Sequence, residues 1–247
     1  IRYTSQRILF AEHRIIDAAG QPGGRTADHN SVDTALLTEE ANGTELNRGQ
    51  VQLVRDLVTS GRRVQLALAP AGTGKTTAMR ALTTAWTYSG GNVLALAPSA
   101  TAASQLGEEL GQGIHADTLH KLTYEIAQLR PASWVDAVDA DTLIIIDEAG
   151  MADTLRLDYL ISWALDRGAS IRLIGDDQQL GAISAGGILR DIATSHGAAR
   201  LEEVMRFTDP AEAHATLALR DGDPAALGYY LDHDRLHVGD PTTASSQ

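Results

Sequence analysis

The residues with the clearest chemical meaning lie in the run from Ala69 to Thr76, APAGTGKT. Glycines at this spacing let backbone N–H groups turn toward the phosphates of a nucleotide, while Lys75 adds a mobile cation and the Thr76 hydroxyl can bind Mg²⁺. Ala69 replaces the usual first glycine, so we expect a negative φ there. A glycine-rich turn without a ligand is the alternative. The predicted nucleotide-binding residues are Gly72, Thr73, Gly74, Lys75, Thr76 and Thr77.

Two adjacent carboxylates, Asp147 and Glu148, follow the apolar run LIII. Because neighbouring side chains of a strand diverge, the two can take different roles at its end. Asp147 can hold Mg²⁺ opposite Thr76, and Glu148 can polarise the water that attacks the γ-phosphate. A strand end that merely meets solvent is the alternative interpretation.

Three isolated residues carry weaker signals for the same chemistry. Gln179, in the run GDDQQL, can bind a phosphate oxygen or the attacking water. Gln50, in LNRGQ, offers a donor and an acceptor that match the edge of adenine. Arg206 can reach the γ-phosphate as an arginine finger. A polar turn, a surface glutamine and an ion-paired arginine are the respective alternatives.

Small polar groups in two further segments suit contacts to nucleic-acid phosphates without added charge. For Ser99 and Thr101, capping of a helix that runs to Leu110 is an equally good interpretation. The candidate DNA-binding residues are Pro98, Ser99, Thr101, Thr118 and His120, with the last two placed in a helical region.

These candidates require elements that bring them to one edge of a sheet. Apolar strands are predicted at residues 64–69, 93–97, 142–147 and 170–175, with a weaker one near 200–205. Helical connectors between them indicate an α/β fold with a mostly parallel sheet covered on both faces. Ligands of such sheets bind at the carboxyl ends of the strands, where the candidate residues fall.

Upstream of this core, the pattern predicts a helix at residues 3–19, a polar connector with a short helix near 33–41, and a helix at 48–60. The predicted organisation is an N-terminal helix and connector outside the core sheet (1–45), a core domain (46–207) and a tail or the start of a second domain (208–247).

Composition narrows the functional class. Among 247 residues, 43% are apolar, which is enough for a substantial core, and the absence of cysteine excludes disulfides and thiolate zinc sites. The net charge of −12 argues against a broad DNA-gripping surface and favours a narrow channel. Neither a membrane span nor a leader is recognisable, so we expect a cytoplasmic protein. The first residue, Ile1, favours a segment of a longer polypeptide, although processing of the protein would look the same.

Together these runs resemble the first motor domain of superfamily-one DNA helicases of the RecD-like branch, in particular the helicase part of TraA/TrwC-type conjugative relaxases. The order of the matching runs carries the resemblance. They are the Q motif (46–50), Walker A (69–77), motif Ia (97–106), a second DNA-contacting motif (117–122), Walker B (146–151), motif III (175–180 with 185–186) and motif IV (201–207).

The resemblance implies a RecA-like fold that uses ATP and Mg²⁺ to move 5′-to-3′ along single-stranded DNA. Gln179 would sense the γ-phosphate, and Arg206 would complete the site. An upstream relaxase domain and a second RecA-like domain would be further partners in the same polypeptide. Because motifs of that second domain do not occur here, we expect weak nucleotide binding and little ATPase from this piece.

Two alternatives of other classes stay open. One is a module that has lost motor function and serves DNA loading or protein interaction. The other is a different phosphate-loop ATPase, such as a clamp-loader-like machine or a nucleotide kinase, although a kinase has no use for the adjacent Asp147–Glu148 pair.

Overall fold

The computed structural model describes residues 5–70, 72–111, 113–176, 186–201, 215, 218, 223 and 227–233. The described strands form one parallel sheet with the order β3-β2-β4-β5-β1-β6. Their bounds are β1 (Val64–Leu68), β2 (Asn92–Ala97), β3 (His115–Thr118), β4 (Thr142–Ile146), β5 (Ser170–Gly175) and β6 (Ala199–Arg200).

Helices connect the strands and precede the sheet. They are α1 (Gln6–Ala19), α2 (His29–Ala41), α3 (Arg48–Thr59), α4 (Lys75–Tyr88), α5 (Ala100–Leu110), α6 (Leu119–Ile126), α7 (Ser133–Asp136), α8 (Thr154–Asp166), α9 (Gly186–His196) and α10 (Leu227–Asp232), with a 3₁₀ turn at Ala149–Met151. All but α10 belong to one compact unit, residues 1–202, and α10 belongs to a second unit, residues 203–247. Of the helices described, none has the length and apolar character needed to cross a membrane.

The strand order explains which helix covers which face of the sheet. From β1 through β2 to β3 the chain steps toward one edge, and from β3 through β4 and β5 to β6 it steps back. Since parallel crossovers are right-handed, the two directions place their helices on opposite faces. Accordingly, α4 and α5 pack with α2 and α3 in one core, while α6, α8 and α9 pack with α1 in the other. The predicted α/β fold with both faces covered is confirmed.

The two faces differ in side-chain size. On β1 and β2 the face toward α1 and α8 carries Leu66, Leu68, Leu94 and Leu96, whereas the face toward α4 and α5 carries alanines at 67, 95 and 97. Helix α4 itself contributes Ala78, Ala81 and Ala85 to this second core. Small residues on both partners allow α4, which follows the predicted nucleotide-binding loop, to lie close to the sheet.

Most strand predictions are confirmed to within a residue or two, but the edge of the sheet differs from expectation. The sequence analysis placed Thr118 in a helical region, whereas it ends β3, and α6 begins only at Leu119. Strand β3 has four residues, HADT, none of them fully buried, and among the described strands it pairs only with β2. A short polar edge strand lacks the apolar run that makes strands recognisable. Of the predicted strand near 200–205, only Ala199–Arg200 lies in the described residues.

The described residues before position 46 include two helices, α1 and α2, which cover opposite faces of the sheet. Helix α1 buries Ile15 and Ala18 in one core, and α2 buries Val32 and Ala35 in the other. Ion pairs hold both helices in place, with 2.5 Å between Arg14 Nη2 and Asp158 Oδ2 and 2.6 Å between Arg80 Nη2 and Glu39 Oε2. Residues 5–41 therefore contribute directly to the packing of the sheet.

Candidate functional site

The loop between β1 and α4 (residues 69–74), hereafter the phosphate loop, has the backbone that the sequence predicts. Gly72 and Gly74 have φ of 83° and 79°, in the left-handed region that favours glycine. Ala69 does not have a positive φ, as expected, and its N–H donates to the Gly175 carbonyl at 2.9 Å. The Thr73 hydroxyl donates to the Pro70 carbonyl at 2.7 Å, so this side chain points inward. Ala71 lies outside the described residues.

The N-terminus of α4 has no side-chain cap. Its N-cap residue is Gly74, which provides no oxygen for the N–H groups of Lys75, Thr76 and Thr77. A helix start of this kind attracts anions, because the free N–H groups and the helix dipole both favour negative charge. Side-chain caps are present at other helix starts of the described chain, provided by Ser5, Asp28, Asn47, Ser99, Thr118 and Asp153.

Lys75 contacts both predicted carboxylates, although they lie on the far side of β5. Its Nζ donates to Asp147 Oδ1 at 2.7 Å, across 72 residues of sequence, and to Glu148 Oε1 at 3.3 Å. The same Asp147 oxygen accepts the Glu148 N–H at 2.9 Å, which fixes the orientation of the carboxylate. The ends of β1 and β4 thus bring a cation and two carboxylates together at one edge of the sheet.

The charge state of Lys75 follows from this environment. Burial lowers the pKa of its ammonium, but the charges and hydrogen bonds of Asp147 and then Glu148 outweigh burial and raise the pKa above its ordinary value. Lys75 is therefore a permanent cation at neutral pH, as binding of an anionic ligand requires.

Glu148 has an unusual backbone. Its φ of 50° and ψ of 40° are left-handed, and it is the single non-glycine residue of the described chain with a positive φ. This conformation costs a non-glycine residue about 1–2 kcal/mol. Strain of this kind clusters at functional sites, where the surrounding structure holds a side chain in a required place. Here it places the Glu148 carboxylate beside Lys75.

The oxygen donors near α4 suit a hard cation such as Mg²⁺, which is usually bound by one or two protein oxygens together with phosphate oxygens and water. Thr76 lies in the first turn of α4, next to Lys75, which contacts Asp147. The Thr76 hydroxyl donates to Glu109 Oε2 at 3.3 Å. Glu109 lies near the end of α5 and was not among the predicted site residues.

Gln50 is buried and braces the phosphate loop. It is 2% exposed; its Oε1 accepts the Asn47 N–H at 2.9 Å, and its Nε2 donates to the Gly74 carbonyl at 3.0 Å. The amide thereby links the start of α3 to the residue that begins α4. One Nε2 proton remains for a base, so recognition of adenine stays a prediction.

The candidate DNA-binding residues begin two helices. The Ser99 hydroxyl accepts the Ala102 N–H at 3.2 Å, and the Thr118 hydroxyl accepts the Lys121 N–H at 3.0 Å. The capping role considered for Ser99 is thus present, and Thr101 lies exposed in the first turn of α5. Contacts of all these residues to DNA stay predictions.

A small cavity connects two of the DNA candidates to the carboxylates. It has a volume of about 90 Å³, and its lining includes Pro98, His120, Asp147, Glu148 and Arg156. Arg156 was not predicted: its Nη1 lies 2.6 Å from His120 Nδ1, across 36 residues of sequence. Because a guanidinium can only donate, Nδ1 is the acceptor and the remaining proton of a neutral His120 is on Nε2. No local pattern marks Arg156, because the contact depends on the packing of α6 against α8.

Gln179, Arg206 and residue 185 of the predicted motifs lie outside the described residues. Their predicted roles therefore rest on the sequence.

Comparison with known proteins identifies relatives of two kinds. The conjugal transfer protein TraA of Rhizobium radiobacter is 34% identical over 180 residues, and the TraA of Agrobacterium fabrum is 30% identical over 218 residues. The ATP-dependent RecD2 DNA helicase of Deinococcus radiodurans is 31% identical over 147 residues. These matches cover 72%, 88% and 60% of the present chain but only 16%, 19% and 20% of the relatives. The chain thus spans about a fifth or less of their length.

Among solved structures, the UvsW helicase from bacteriophage T4 matches with a TM-score of 0.45 and 14% identity, over 69% of this chain and 67% of that one. The sequence profile of a family described as AAA domain matches residues 45–241. The resemblance to RecD-like helicases and TraA proteins, predicted from the order of the motifs, is confirmed by these relatives. The chain therefore belongs to the AAA domain family, as a helicase-like member similar to TraA proteins and to RecD2.

Proposed function

We propose that this chain is the nucleotide-binding half of an ATP-dependent translocase or helicase that moves 5′-to-3′ on single-stranded DNA. The observation that carries the proposal is the contact of Lys75 with Asp147 and Glu148 beside the uncapped start of α4. A cation, free N–H groups and two carboxylates in one place suit a metal-bound triphosphate. The similarity to a DNA helicase and to conjugal transfer proteins supports DNA as the track.

The residues of the site divide the chemistry among them. Backbone N–H groups from Gly72 to Thr77 and the Lys75 ammonium would hold the phosphates, while Thr76 and Asp147 would hold Mg²⁺. Mg²⁺ bound there would supply positive charge that neutralises the phosphate oxygens. Glu148 accepts the proton of the attacking water, as its place beside Asp147 permits.

Binding of such a ligand requires an exchange of partners at Lys75. Its ammonium now neutralises Asp147, at 2.7 Å. When phosphates attract Lys75 and a cation attracts Asp147, each partner keeps an opposite charge nearby, so neither is left buried and unpaired. Glu148 is released by the same exchange and can then contact water.

On the DNA side, we assign the strand to Pro98, Ser99, Thr101, Thr118 and His120. The cavity shared by Pro98, His120 and Glu148 gives this strand a short route to the residue that activates water. Gln179 is assigned as the γ-phosphate sensor and Arg206 as the arginine finger. A second RecA-like domain and an upstream relaxase domain of a longer cytoplasmic polypeptide would complete the machine, and the length of the TraA relatives supports such additional domains.

ATP hydrolysis with and without single-stranded DNA tests the proposal, on this chain and on a version extended at its C-terminus. We expect nucleotide binding but little hydrolysis from the chain alone, and DNA-stimulated hydrolysis from the extended protein. Lys75→Ala and Glu148→Gln in the extended protein should remove that activity. Robust turnover by the 247 residues alone would contradict the half-site. An extended protein that binds ATP without hydrolysing it would favour a module without motor function.

A further inference from the structure

The hydroxyl of Thr76 has a partner that no motif predicts. It donates to Glu109 Oε2 at 3.3 Å, which connects the first turn of α4 to the last turn of α5. Glu108, the preceding residue, is also exposed, and its side chain has no hydrogen bond or ion pair with the described part of the chain. The two adjacent glutamates therefore differ in that the side chain of Glu109, and not that of Glu108, contacts Thr76.

Other threonines of α4 use their hydroxyl protons differently. Thr84 donates to the Arg80 carbonyl at 3.0 Å and Thr87 to the Thr83 carbonyl at 2.9 Å, each one turn back along the helix. Thr76 lies in the first turn of α4, so the residue four positions earlier, Gly72, is in the phosphate loop rather than in the helix. Its acceptor is instead the carboxylate of Glu109 on the neighbouring helix.

The direction of that hydrogen bond decides what Thr76 can bind. A hydroxyl has one proton and two lone pairs. Because the proton points to the carboxylate of Glu109, the lone pairs of the oxygen are free to face a cation. A negatively charged acceptor also increases the electron density on the hydroxyl oxygen, which strengthens it as a ligand.

The backbone beneath Glu109 is held firmly even though its side chain is exposed. Leu106 and Leu110, on the same helix, are 5% and 3% exposed and belong to the core under α4 and α5. Ser99 caps the start of α5, and the Gly111 N–H donates to the Gly107 carbonyl at its end. The position of Glu109 relative to Thr76 is thus set by packed helices.

We propose that Glu109 is a positioning residue that orients the Thr76 hydroxyl. By accepting the hydroxyl proton, Glu109 leaves the lone pairs of the Thr76 oxygen available to Mg²⁺. This inference rests on the proposed function, because it assumes that Thr76 helps to hold a metal–nucleotide complex. Glu109 does not touch the nucleotide or the metal and acts only through Thr76.

The proposal is tested in this chain by titration calorimetry with a non-hydrolysable ATP analogue. The dissociation constant is measured once in Mg²⁺ and once in EDTA. Glu109→Ala should weaken binding about tenfold in Mg²⁺, the effect of a charge-assisted hydrogen bond, and should leave binding in EDTA unchanged. Glu108→Ala is the matched control, since it removes the same charge from the adjacent position, and it should behave as the unaltered chain. Glu109→Gln keeps an acceptor oxygen and should recover most of the affinity.

A double-mutant cycle with Thr76→Val isolates the contact, because Glu109→Ala should have no further effect once the hydroxyl is absent. Equal affinities of Glu109→Ala and Glu108→Ala in Mg²⁺ would overturn the positioning role. So would a loss that is the same in EDTA, or a lowered denaturation midpoint, either of which indicates a structural role. If the unaltered chain binds the analogue and Lys75→Ala does not, the nucleotide site stands whatever Glu109 does. No binding by the unaltered chain would overturn both proposals.

Discussion

Helices α4 and α5 occupy similar places in the fold, but their N-terminal ends differ. Each starts just after a buried parallel strand, at the same edge of the sheet. The start of α5 is closed by the chain itself, since the Ser99 hydroxyl accepts the Ala102 N–H at 3.2 Å. The start of α4 is left open, because Gly74 has no side chain and the Thr73 hydroxyl is turned to the Pro70 carbonyl.

The difference separates a helix start that the chain itself caps from one that it leaves open to a ligand. A side-chain cap contributes about 1 kcal/mol of stability, and the chain uses one at the start of α5 and α6. At α4 that contribution is missing, and a cation and two carboxylates are gathered instead. A helix start that lacks a side-chain cap and lies beside a lysine therefore indicates a ligand more strongly than a helix start alone does.

The largest effect should follow from removing the cation at the open helix start. Lys75→Ala should lower the affinity for ATP about 100-fold, because a charge-assisted contact to phosphate is lost. Titration of a fluorescent ATP analogue in the absence of DNA measures this. Lys121→Ala changes an exposed lysine near the capped start of α6 and should leave the affinity unaltered. Similar ATP affinities of Lys75→Ala and Lys121→Ala would contradict the proposal that the open start of α4 binds the nucleotide.

A second test concerns the strained residue opposite α4. Glu148→Gly should be more stable than Glu148→Ala by about 1 kcal/mol, because glycine adopts the left-handed conformation without the cost that alanine carries. Both variants lack the carboxylate, so the comparison isolates the backbone. Chemical denaturation measures the difference, and equal free energies of unfolding would show that the backbone relaxes without cost.

A substitution at the capped start of α5 should change stability and not ATP affinity, whereas Lys75→Ala at the open start of α4 should change ATP affinity. Ser99→Ala should lower the free energy of unfolding by about 1 kcal/mol and leave ATP affinity without DNA unchanged. Ser99→Thr keeps an acceptor and should be close to neutral for stability. Reduced DNA affinity in Ser99→Ala with full retention in Ser99→Thr would add the predicted DNA contact to the capping role seen here.

The smallest expected effect is the contribution of Lys75 to the pH dependence of the free energy of unfolding at alkaline pH. The folded pKa of Lys75 is raised, so its ion pairs stabilise the protein below the unfolded value of 10.5 and are lost as the pH rises through the folded value. Lys75→Met should abolish this loss. Burial lowers the pKa of Arg172 to about 9, which adds an opposite slope in both proteins, so their difference isolates Lys75. Denaturation from about pH 9 to about pH 12 measures it; identical pH profiles would contradict the prediction.

Local sequence was sufficient to predict elements that are marked by an apolar run or by a fixed spacing of glycines. The apolar runs that become β1, β2, β4 and β5 are long enough to stand out, and the spacing of glycines before Lys75 marks a strand-to-helix turn. It was insufficient for β3, whose four residues, HADT, contain no apolar run and lie at the sheet edge. It was also insufficient for Arg172, a fully buried cation in β5 whose Nε donates to the Leu57 carbonyl at the end of α3.

The sequence by itself determined the α/β class, the phosphate loop and the pair of carboxylates, because each depends on residues that are neighbours in the chain. Only the tertiary structure decided that Lys75 meets Asp147, that Gln50 braces Gly74, and that Glu109 and Arg156 lie beside the site. Those contacts join residues 24 to 72 positions apart. They arise from the order of strands in the sheet and the packing of helices on its two faces, which no local pattern encodes.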